Sequence, residues 1–433
     1  MARPRIVIVG AGFAGYHCAR KLARLARGAA DITLLNPTDY FLYLPLLPEV
    51  AAAGLEARRI TVSIPDTIGR GVRLALGKAT RIDLDRRRVR YTDPEGGAGE
   101  LPYDRLVLAA GSVNKLLPIP GVAEHAHGFR GIFEALYLRD HVTRQVELAD
   151  ATDDREEREA RLTFVVVGAG YTGTELAAHG ALFTRDLVSG HPRLADTPVR
   201  WLLLDVADRV LPELDQRLSR TADRVLRERD VDVRMGTSVK EATHEGVYLS
   251  DGGFMPSRTL VWCVGVRPDP LVAGLGLATN KGRVVVDEYL GVPGRPEVLA
   301  CGDAAAVPDL TRPGEITAMT AQHAERQGKL AAHNIAASYG KGRPRAYKHH
   351  DLGFVVDLGG VQAAADPLGI PLGGPVAKAV TAGYHLLSMP GNRVRTAADW
   401  ALNAALPRQT VQLGLVRAPA VPLDTARPEA RTM

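Results

Sequence analysis

Short unbroken apolar runs recur along the chain, each followed by clustered glycines and then by a helix-spaced segment. Residues 5–9, RIVIV, are apolar after the first position and predict a buried strand. Gly10-Ala-Gly-Phe-Ala-Gly15 follows, then a helix from Tyr16 to about Arg27 and a strand at Asp31 to Leu35. The pattern restarts with a strand at Thr163 to Val167, the loop Gly168-Ala-Gly-Tyr-Thr-Gly173, a helix from Thr174 to about Leu187 and a strand at Val199 to Asp205. A strand apolar at nearly every position is buried on both faces, which is the habit of parallel sheets covered by helices. One βαβ unit therefore occurs twice, with the glycine loops 158 positions apart (Gly10 to Gly168).

Between and after these units the pattern predicts smaller pieces. Strands near 72–91 with a turn at Asp93 to Gly99 read as a small antiparallel insertion. Arg105 to Gly111 reads as a buried strand, and the charged stretch 151–161 as a solvated helix or linker. Further strands are expected at Val231 to Arg234, Gly246 to Leu249, Thr259 to Val264 and Glu297 to Ala300, the last ending in Cys301-Gly302-Asp303. A helix is expected from Ile316 to Ser338, with fewer strands beyond about Gly340. The fold class is thus α/β, with two Rossmann-like dinucleotide-binding domains, the second inserted in the first, and a C-terminal region with amphipathic helices. The expected division is 1–120 and 290–340 for FAD, 121–289 for a nicotinamide cofactor, and 341–433 for the C-terminal region.

The glycine loops carry the first chemistry. The glycines allow a tight turn and let backbone approach a pyrophosphate, while the helix N-terminus presents free N–H groups and partial positive charge. The residues at the ends of the second strands differ. Asn36 offers one amide acceptor to a ribose hydroxyl, with Asp39 as a helper. Asp205 would accept from a ribose 2′-OH and repel a 2′-phosphate, favouring NADH over NADPH; Arg209 four residues on could soften that preference. Glu175 is expected in the first turn of the second helix, either as a simple helix-start acid or handling protons at the flavin–nicotinamide junction.

Composition narrows the field. Of 433 residues 46% are hydrophobic, enough for two or three cores, and only 5% are aromatic. No run of about 18 apolar residues occurs, and residues 1–15 run straight into a strand and glycine loop, so no secretory signal is expected. The three cysteines, Cys18, Cys263 and Cys301, include no close pair. A reduced compartment is expected, and flavin disulfide chemistry is not. The net charge of +5 lies wholly in residues 341–433, which hold 11 Lys and Arg against 6 Asp and Glu. That excess reads as a solvated surface or as attraction to an anionic one; nucleic acid is not expected. His17, His179 and His323 read as satisfied helix histidines, and no metal is expected.

These residues resemble the type II, single-subunit, non-proton-pumping NADH:quinone oxidoreductases, two-dinucleotide-binding flavoproteins, over about Arg5 to Arg408. The superfamily motifs are Gly10-x-Gly12-x-x-Gly15, Leu108-Ala-Ala-Gly111, Gly168-x-Gly170-x-x-Gly173-x-Glu175 and Cys301-Gly302-Asp303. More specific are Tyr40-Phe-Leu-Tyr-Leu-Pro-Leu-Leu-Pro-Glu49, Trp262 to Arg267, and Ala321-Gln-His-Ala-Glu-Arg-Gln-Gly328, which is similar to the family's AQxAxQQG. The resemblance implies FAD contacts at Gly10, Gly12, Phe13, Ala14, Gly15, Asn36, Pro45, Ala79, Ala110, Gly111, Asp303, Ala321 and Gln322. It implies NADH contacts at Gly168, Gly170, Tyr171, Thr172, Gly173, Glu175, Asp205 and Gly265. Glu175, Gln322 and Lys378 are the implied catalytic residues, the last two at a quinone pocket. Arg326 stands where the motif has its second glutamine, and Leu44 where a small polar residue is common; both departures bear on the acceptor.

The C-terminal patterns complete the expectation. Val376, Val380, Tyr384 and Leu387 recur at helical spacing within Gly374 to Pro390. Val394, Ala397, Ala398, Ala401, Leu402, Ala405 and Leu406 do so within Arg393 to Leu406, beside Trp400 and flanked by Arg393, Arg395 and Arg408. Such a basic amphipathic pair fits the membrane interface or packing on the protein's own core. The expectation is a peripheral respiratory-chain enzyme on the cytoplasmic side of the cell membrane, with a homodimer left open. The alternatives are a soluble NADH-dependent reductase of a ferredoxin-like protein or oxygen, and a redox-sensing FAD- and NADH-binding protein. Sulfide:quinone reduction is disfavoured by the absence of paired cysteines.

Overall fold

The computed structural model describes residues 3–349 and 352–424. They form two compact units. One comprises the described residues of 1–42, 61–113 and 266–350; the other comprises those of 43–60, 114–265 and 351–433.

The first unit is built on a six-stranded sheet in the order Gly291–Val292, Arg295–Ala300, Arg105–Leu108, Arg5–Val9, Asp31–Asn36, Val72–Leu76. All neighbours are parallel except the edge pair Gly291–Val292 and Arg295–Ala300. Val7 pairs with Thr33 on one side and with Leu106 on the other. The apolar run at Ile6 to Val9 is buried throughout, as a central parallel strand requires. The expected insertion is present as an antiparallel sheet of Lys78–Asp83, Arg88–Thr92 and Ala98–Pro102.

Two helices of this unit lie against each other, Phe13–Ala26 and Ala321–Ser338. Gly328 allows the close approach, since a Cβ there would sit 2.0 Å from the Ala14 carbonyl oxygen. The second helix starts at Ala321, not Ile316. Thr320 caps it by accepting from the His323 N–H at 3.3 Å. The preceding residues are held elsewhere, Ile316 bridging to Pro308 and the Thr317 carbonyl accepting from Arg283 at 2.6 Å.

The second unit carries a five-stranded, all-parallel sheet in the order Ala126–Gly128, Thr259–Trp262, Thr163–Val167, Arg200–Asp205, Val231–Met235. Thr163–Val167 is buried at every position. The 20-residue helix Ile132–Ala151 and the helix Gln216–Arg227 belong to this unit. So does a sheet that the sequence pattern did not indicate, of Val355–Asp357, Ala363–Ala365 and Leu372–Gly373. The helix Gly374–Ser388 packs on it through Ala377, against Ala363 and Ala365. The helix Arg393–Ala405 follows. No helix among the described residues is long and apolar enough to cross a membrane.

Candidate functional site

The two glycine loops are constructed alike. Gly10 has φ +94°, and a Cβ there would lie 2.4 Å from the Ala109 carbonyl oxygen. At Gly15, already inside the helix, a Cβ would lie 1.8 Å from the Gly10 carbonyl oxygen. Gly168, at φ +108°, and Gly173 repeat both restrictions, the latter at 1.8 Å from the Gly168 carbonyl oxygen. The middle glycines are different. A Cβ at Gly12 or Gly170 would meet nothing within 4 Å. Both are extended N-caps without a side-chain cap bond. The helix-start N–H groups therefore open onto space that only a glycine leaves clear. A pyrophosphate fits this arrangement chemically, by hydrogen bonding and by helix polarity.

Each loop is tied to the end of the neighbouring strand by a side-chain oxygen. Asn36 Oδ1 accepts from Ala11 N–H at 2.8 Å, and its amide nitrogen donates to the Thr38 carbonyl and hydroxyl at 2.9 and 3.0 Å. Both amide protons of Asn36 are thus used within the loop. Asp205 accepts from Ala169 N–H at 2.6 Å through Oδ2 and from Ala207 N–H at 2.8 Å through Oδ1. A carboxylate has about four lone-pair positions, so Asp205 keeps capacity for a ribose hydroxyl where Asn36 keeps little. Arg209 donates to the Pro212 carbonyl at 2.7 Å, within its own loop.

In the first unit Asp303 stands half-buried on the short turn Gly302–Ala304 and accepts from the Ser112 hydroxyl at 2.5 Å. Gln327, not singled out by the sequence, fixes that turn: its Oε1 accepts from Gly302 N–H at 2.8 Å and its Nε2 donates to Thr317 at 3.0 Å. Gly111 has φ +73° with open space where a Cβ would be, and Ala110 beside it is half-buried. Ala79 lies in the antiparallel insertion, opposite Tyr91. Ala321 and Gln322 open the helix that Thr320 caps. Arg326, one turn on, donates to Gln322 Oε1 at 3.4 Å and contacts His349 Nδ1 at 2.9 Å. His323 contacts the Tyr347 hydroxyl at 2.8 Å, and burial holds its imidazole down to about 4. Cys18 and Cys301 are buried, and burial raises both thiols, Cys301 to about 12, away from thiolate chemistry.

Pro45, expected at the flavin, belongs to the second unit, in the turn Leu44–Leu46. Tyr171, Thr172, Gly173, Glu175 and Gly265 lie in that unit with the second loop. The helix begins at Tyr171, three residues earlier than expected, so Glu175 lies beyond its first turn and is not stabilised as a helix-start acid. It is buried instead in a group of ionisable side chains that the sequence did not bring together.

This group draws on four segments. Glu49 comes from Leu47–Ala51, Glu175 and His179 from Tyr171–Val188, Asp357 from Val355–Asp357, and Lys378 from Gly374–Ser388. Asp357 takes the Lys378 ammonium directly, accepts from Gly359 N–H at 2.8 Å and faces His179 Nε2 at 3.4 Å. Its backbone N–H donates to Glu175 Oε1 at 2.8 Å. Glu49 accepts from the Trp400 indole N–H at 2.6 Å, and its other oxygen stands 3.6 Å from Lys378 Nζ. Three carboxyls thus meet one ammonium, and burial decides their protonation. Desolvation pushes Glu49 up to about 8 and Glu175 well above the usual range. Asp357, held by His179 and Lys378, stays far below it. His179 and His385 are held neutral by burial, His385 at about 4. Ligand-type atoms of Glu49, His179 and Asp357 lie within 4.8 Å of one another, but the cation set against these acids is Lys378 itself. His179 is therefore not the ordinary helix histidine expected.

The C-terminal helices bury mainly small and polar residues, while Val380, Tyr384 and Ala397 of the apolar stripe are half-buried. Gly374–Ser388 buries Ala377, Thr381 and His385, and Arg393–Ala405 buries Thr396. The inner face of the second helix is polar: Asp399 pairs with Arg59 at 2.8 Å, Trp400 reaches Glu49, and Asn403 donates to the Gly54 carbonyl at 2.7 Å. The apolar stripe points outward, with Leu387 75% and Val394 82% exposed and Val376, Leu402 and Leu406 more than half so.

Residues 4–328 match the pyridine nucleotide-disulphide oxidoreductase family. The chain is 32% identical over 417 residues to the type II NADH:quinone oxidoreductase Ndh of Mycobacterium tuberculosis, covering 92% of this chain and 87% of that protein. It is 30% identical over 385 residues to the demethylphylloquinone reductase NdbB of Synechocystis, covering 87% of this chain and 90% of that one. Its fold superposes on the NDH2 structure from Plasmodium falciparum in complex with NADH with a TM-score of 0.87, at 17% identity and over 95% of this chain and 100% of that chain. The chain therefore belongs to the pyridine nucleotide-disulphide oxidoreductases and, among them, to the type II NADH:quinone oxidoreductase family.

Proposed function

We propose that this protein passes electrons from NADH, by way of bound FAD, to a membrane quinone without pumping protons. The observation that carries the reading is the pair of uncapped glycine-loop helices, one in each compact unit, in a chain of this family. We assign FAD to the unit with the first loop and NADH to the unit with the second. FAD, when bound, supplies the two-electron redox chemistry. Around it, the N–H groups that follow Gly12 would take the pyrophosphate, with Phe13, Ala14, Asn36, Ala79, Ala110, Gly111, Ala321 and Gln322 of the same unit as further contacts. Asp303, held by Ser112, offers a carboxylate to the ribityl hydroxyls.

Asp205 is the acceptor for the NADH ribose and the charge that excludes a 2′-phosphate. Arg209 is engaged with Pro212, which supports the preference for NADH. In the first unit Gln322 is assigned to the acceptor through its amide; in the second unit Lys378 and Glu175 hold protons. Lys378 is the member placed to pass one on, since its side chain is 25% exposed while those of Asp357 and Glu49 are 6% exposed. Desolvation of Lys378 is outweighed by the two carboxyls, which raise its hold on the proton, so release needs a basic reduced quinone.

The outward apolar stripe, the flanking Arg393 and Arg395 and the basic charge of 341–433 together suit an anionic membrane surface, where a quinone is dissolved. We place the protein peripherally on the cytoplasmic face of the cell membrane, in the respiratory chain. Co-sedimentation with vesicles of phosphatidylglycerol and phosphatidylcholine tests this. Salt-sensitive binding is expected; no binding, with dimers in solution, would reassign the stripe to a second copy. For the acceptor site, Gln322→Ala should leave flavin reduction by NADH unchanged and slow reoxidation by menadione about tenfold or more. Unchanged reoxidation would remove Gln322 from the site.

A further inference from the structure

Glu49 has an arrangement that a purely structural acid does not need. One carboxylate oxygen is fixed by Trp400 at 2.6 Å; the other has no hydrogen-bond partner among the described residues and faces Lys378 Nζ at 3.6 Å. Facing it are Glu175 and His179 from Tyr171–Val188, Asp357 from the small sheet and Lys378 from Gly374–Ser388. The remaining charged neighbours are turned to other partners. Arg139 stands 3.5 Å from Glu56, Asp140 accepts from the Gly414 N–H at 2.7 Å, Arg59 holds Asp399, and Arg408 donates to the Ala52 carbonyl at 3.3 Å. His385 is bonded to Tyr43 at 3.1 Å.

One ammonium cannot neutralise two buried carboxylates. Asp357 takes it directly, with a backbone N–H and His179 reinforcing its negative charge. A second anion at Glu49 would be desolvated and unpaired, so Glu49 carries a proton. That proton lies beside the only member of the group with an open side, Lys378.

We propose that Glu49 is the proton reserve of quinone reduction, returning a proton to Lys378 after that ammonium has protonated the reduced quinone. The inference rests on the reading of Lys378 as the proton donor. The balance closes: NADH, one proton and quinone give NAD⁺ and quinol, so one proton is taken up per turnover. The Lys378 N–H bond breaks as a quinol O–H forms. The Glu49 O–H then breaks as the Lys378 N–H re-forms. When quinol has left, the Glu49 carboxylate regains its proton from water through Lys378.

The test is the pH profile of menadione reduction by FAD-loaded enzyme, with ferricyanide reduction reporting the NADH half separately. The wild type should lose menadione turnover as pH rises through about 8, where Glu49 gives up its proton. Glu49→Gln keeps the size and the Trp400 acceptor. It should lower kcat about tenfold, leave KM for NADH and ferricyanide turnover in place, and abolish the alkaline limb. Glu49→Asp should restore a limb. Glu49→Gln with wild-type kcat and an unmoved limb overturns the proposal. Lys378→Met separates the two levels. If it reduces menadione at the wild-type rate, the donor reading fails and Glu49 with it; if it is slow while Glu49→Gln is unaffected, only the reserve fails.

Discussion

Replacing Asp357 by Asn would remove the anion on which Lys378 depends, without changing shape. Asp357 is 6% exposed and receives the Lys378 ammonium, the Gly359 N–H and the face of His179. Removing one member of a buried pair costs about 3–5 kcal/mol, because the other charge is stranded. Two features reduce that here. Lys378 is 25% exposed, so water reaches it, and Glu49 at 3.6 Å can ionise to take Asp357's place. The expected loss is about 2 kcal/mol, or about 4–8 °C in Tm for a unit of some 250 residues. The pH dependence has a definite sign. Asp357 is held below its unfolded value, so its stabilisation is present at neutral pH and lost as pH falls through the acid range below about 4. The variant should therefore lie furthest below wild type at pH 7 and approach it in acid. Calorimetry of the flavin-loaded protein from pH 2 to 7 reads this, with Lys378→Met and the double variant completing a cycle. The double variant should lose little more than Asp357→Asn alone. A Tm within 1 °C of wild type at pH 7, or additive losses in the double variant, would refute the reasoning.

Other consequences are equally open to measurement. Asp205→Ala removes two charge-assisted bonds, to Ala169 and Ala207, and should raise KM for NADH about tenfold while reducing discrimination against NADPH; steady-state kinetics with both cofactors decides. Arg326→Gln removes the Arg326 donor from Gln322 Oε1 and should raise KM for quinone severalfold with flavin reduction unmoved in stopped flow; a change in flavin reduction instead would place Arg326 elsewhere. Leu387→Asp with Val394→Asp should cut vesicle binding at least tenfold while Tm stays within about 2 °C, because both side chains are exposed; a large loss of Tm would contradict the outward-facing stripe.

Much of the frame was legible because parallel strands buried on both faces are apolar throughout. RIVIV and TFVVV fall at Arg5–Val9 and Thr163–Val167, and the loops, with Asn36 and Asp205 at the neighbouring strand ends, lie where their spacing placed them. The helix Ile132–Ala151 was not legible, since it buries Arg139, Asp140, His141 and Gln145 beside its apolar residues and so blurs any periodic stripe. The start at Ala321 depended on tertiary bonds to Thr317 that no local pattern carries. The C-terminal helices were seen, but not which face is inward: His385, Thr396 and Asp399 turn to the protein and Val376, Leu387, Val394 and Leu402 turn away. Glu49, His179, Asp357 and Lys378 are far apart in sequence and obey no motif spacing. Only folding shows that the latter two share a bond, and that Glu49 lacks a counter-charge of its own.

The central claim is electron transfer from NADH to quinone, and a direct test is acceptor competition on one preparation. FAD-loaded protein is given NADH with a menaquinone analogue, ubiquinone-1, a ferredoxin or dissolved oxygen in turn, and turnover is measured with each. The account predicts a quinone-dependent rate far above the oxygen background, little rate with ferredoxin, and no proton gradient in sealed proteoliposomes. Equal rates with and without quinone, or preferential reduction of ferredoxin, would contradict it.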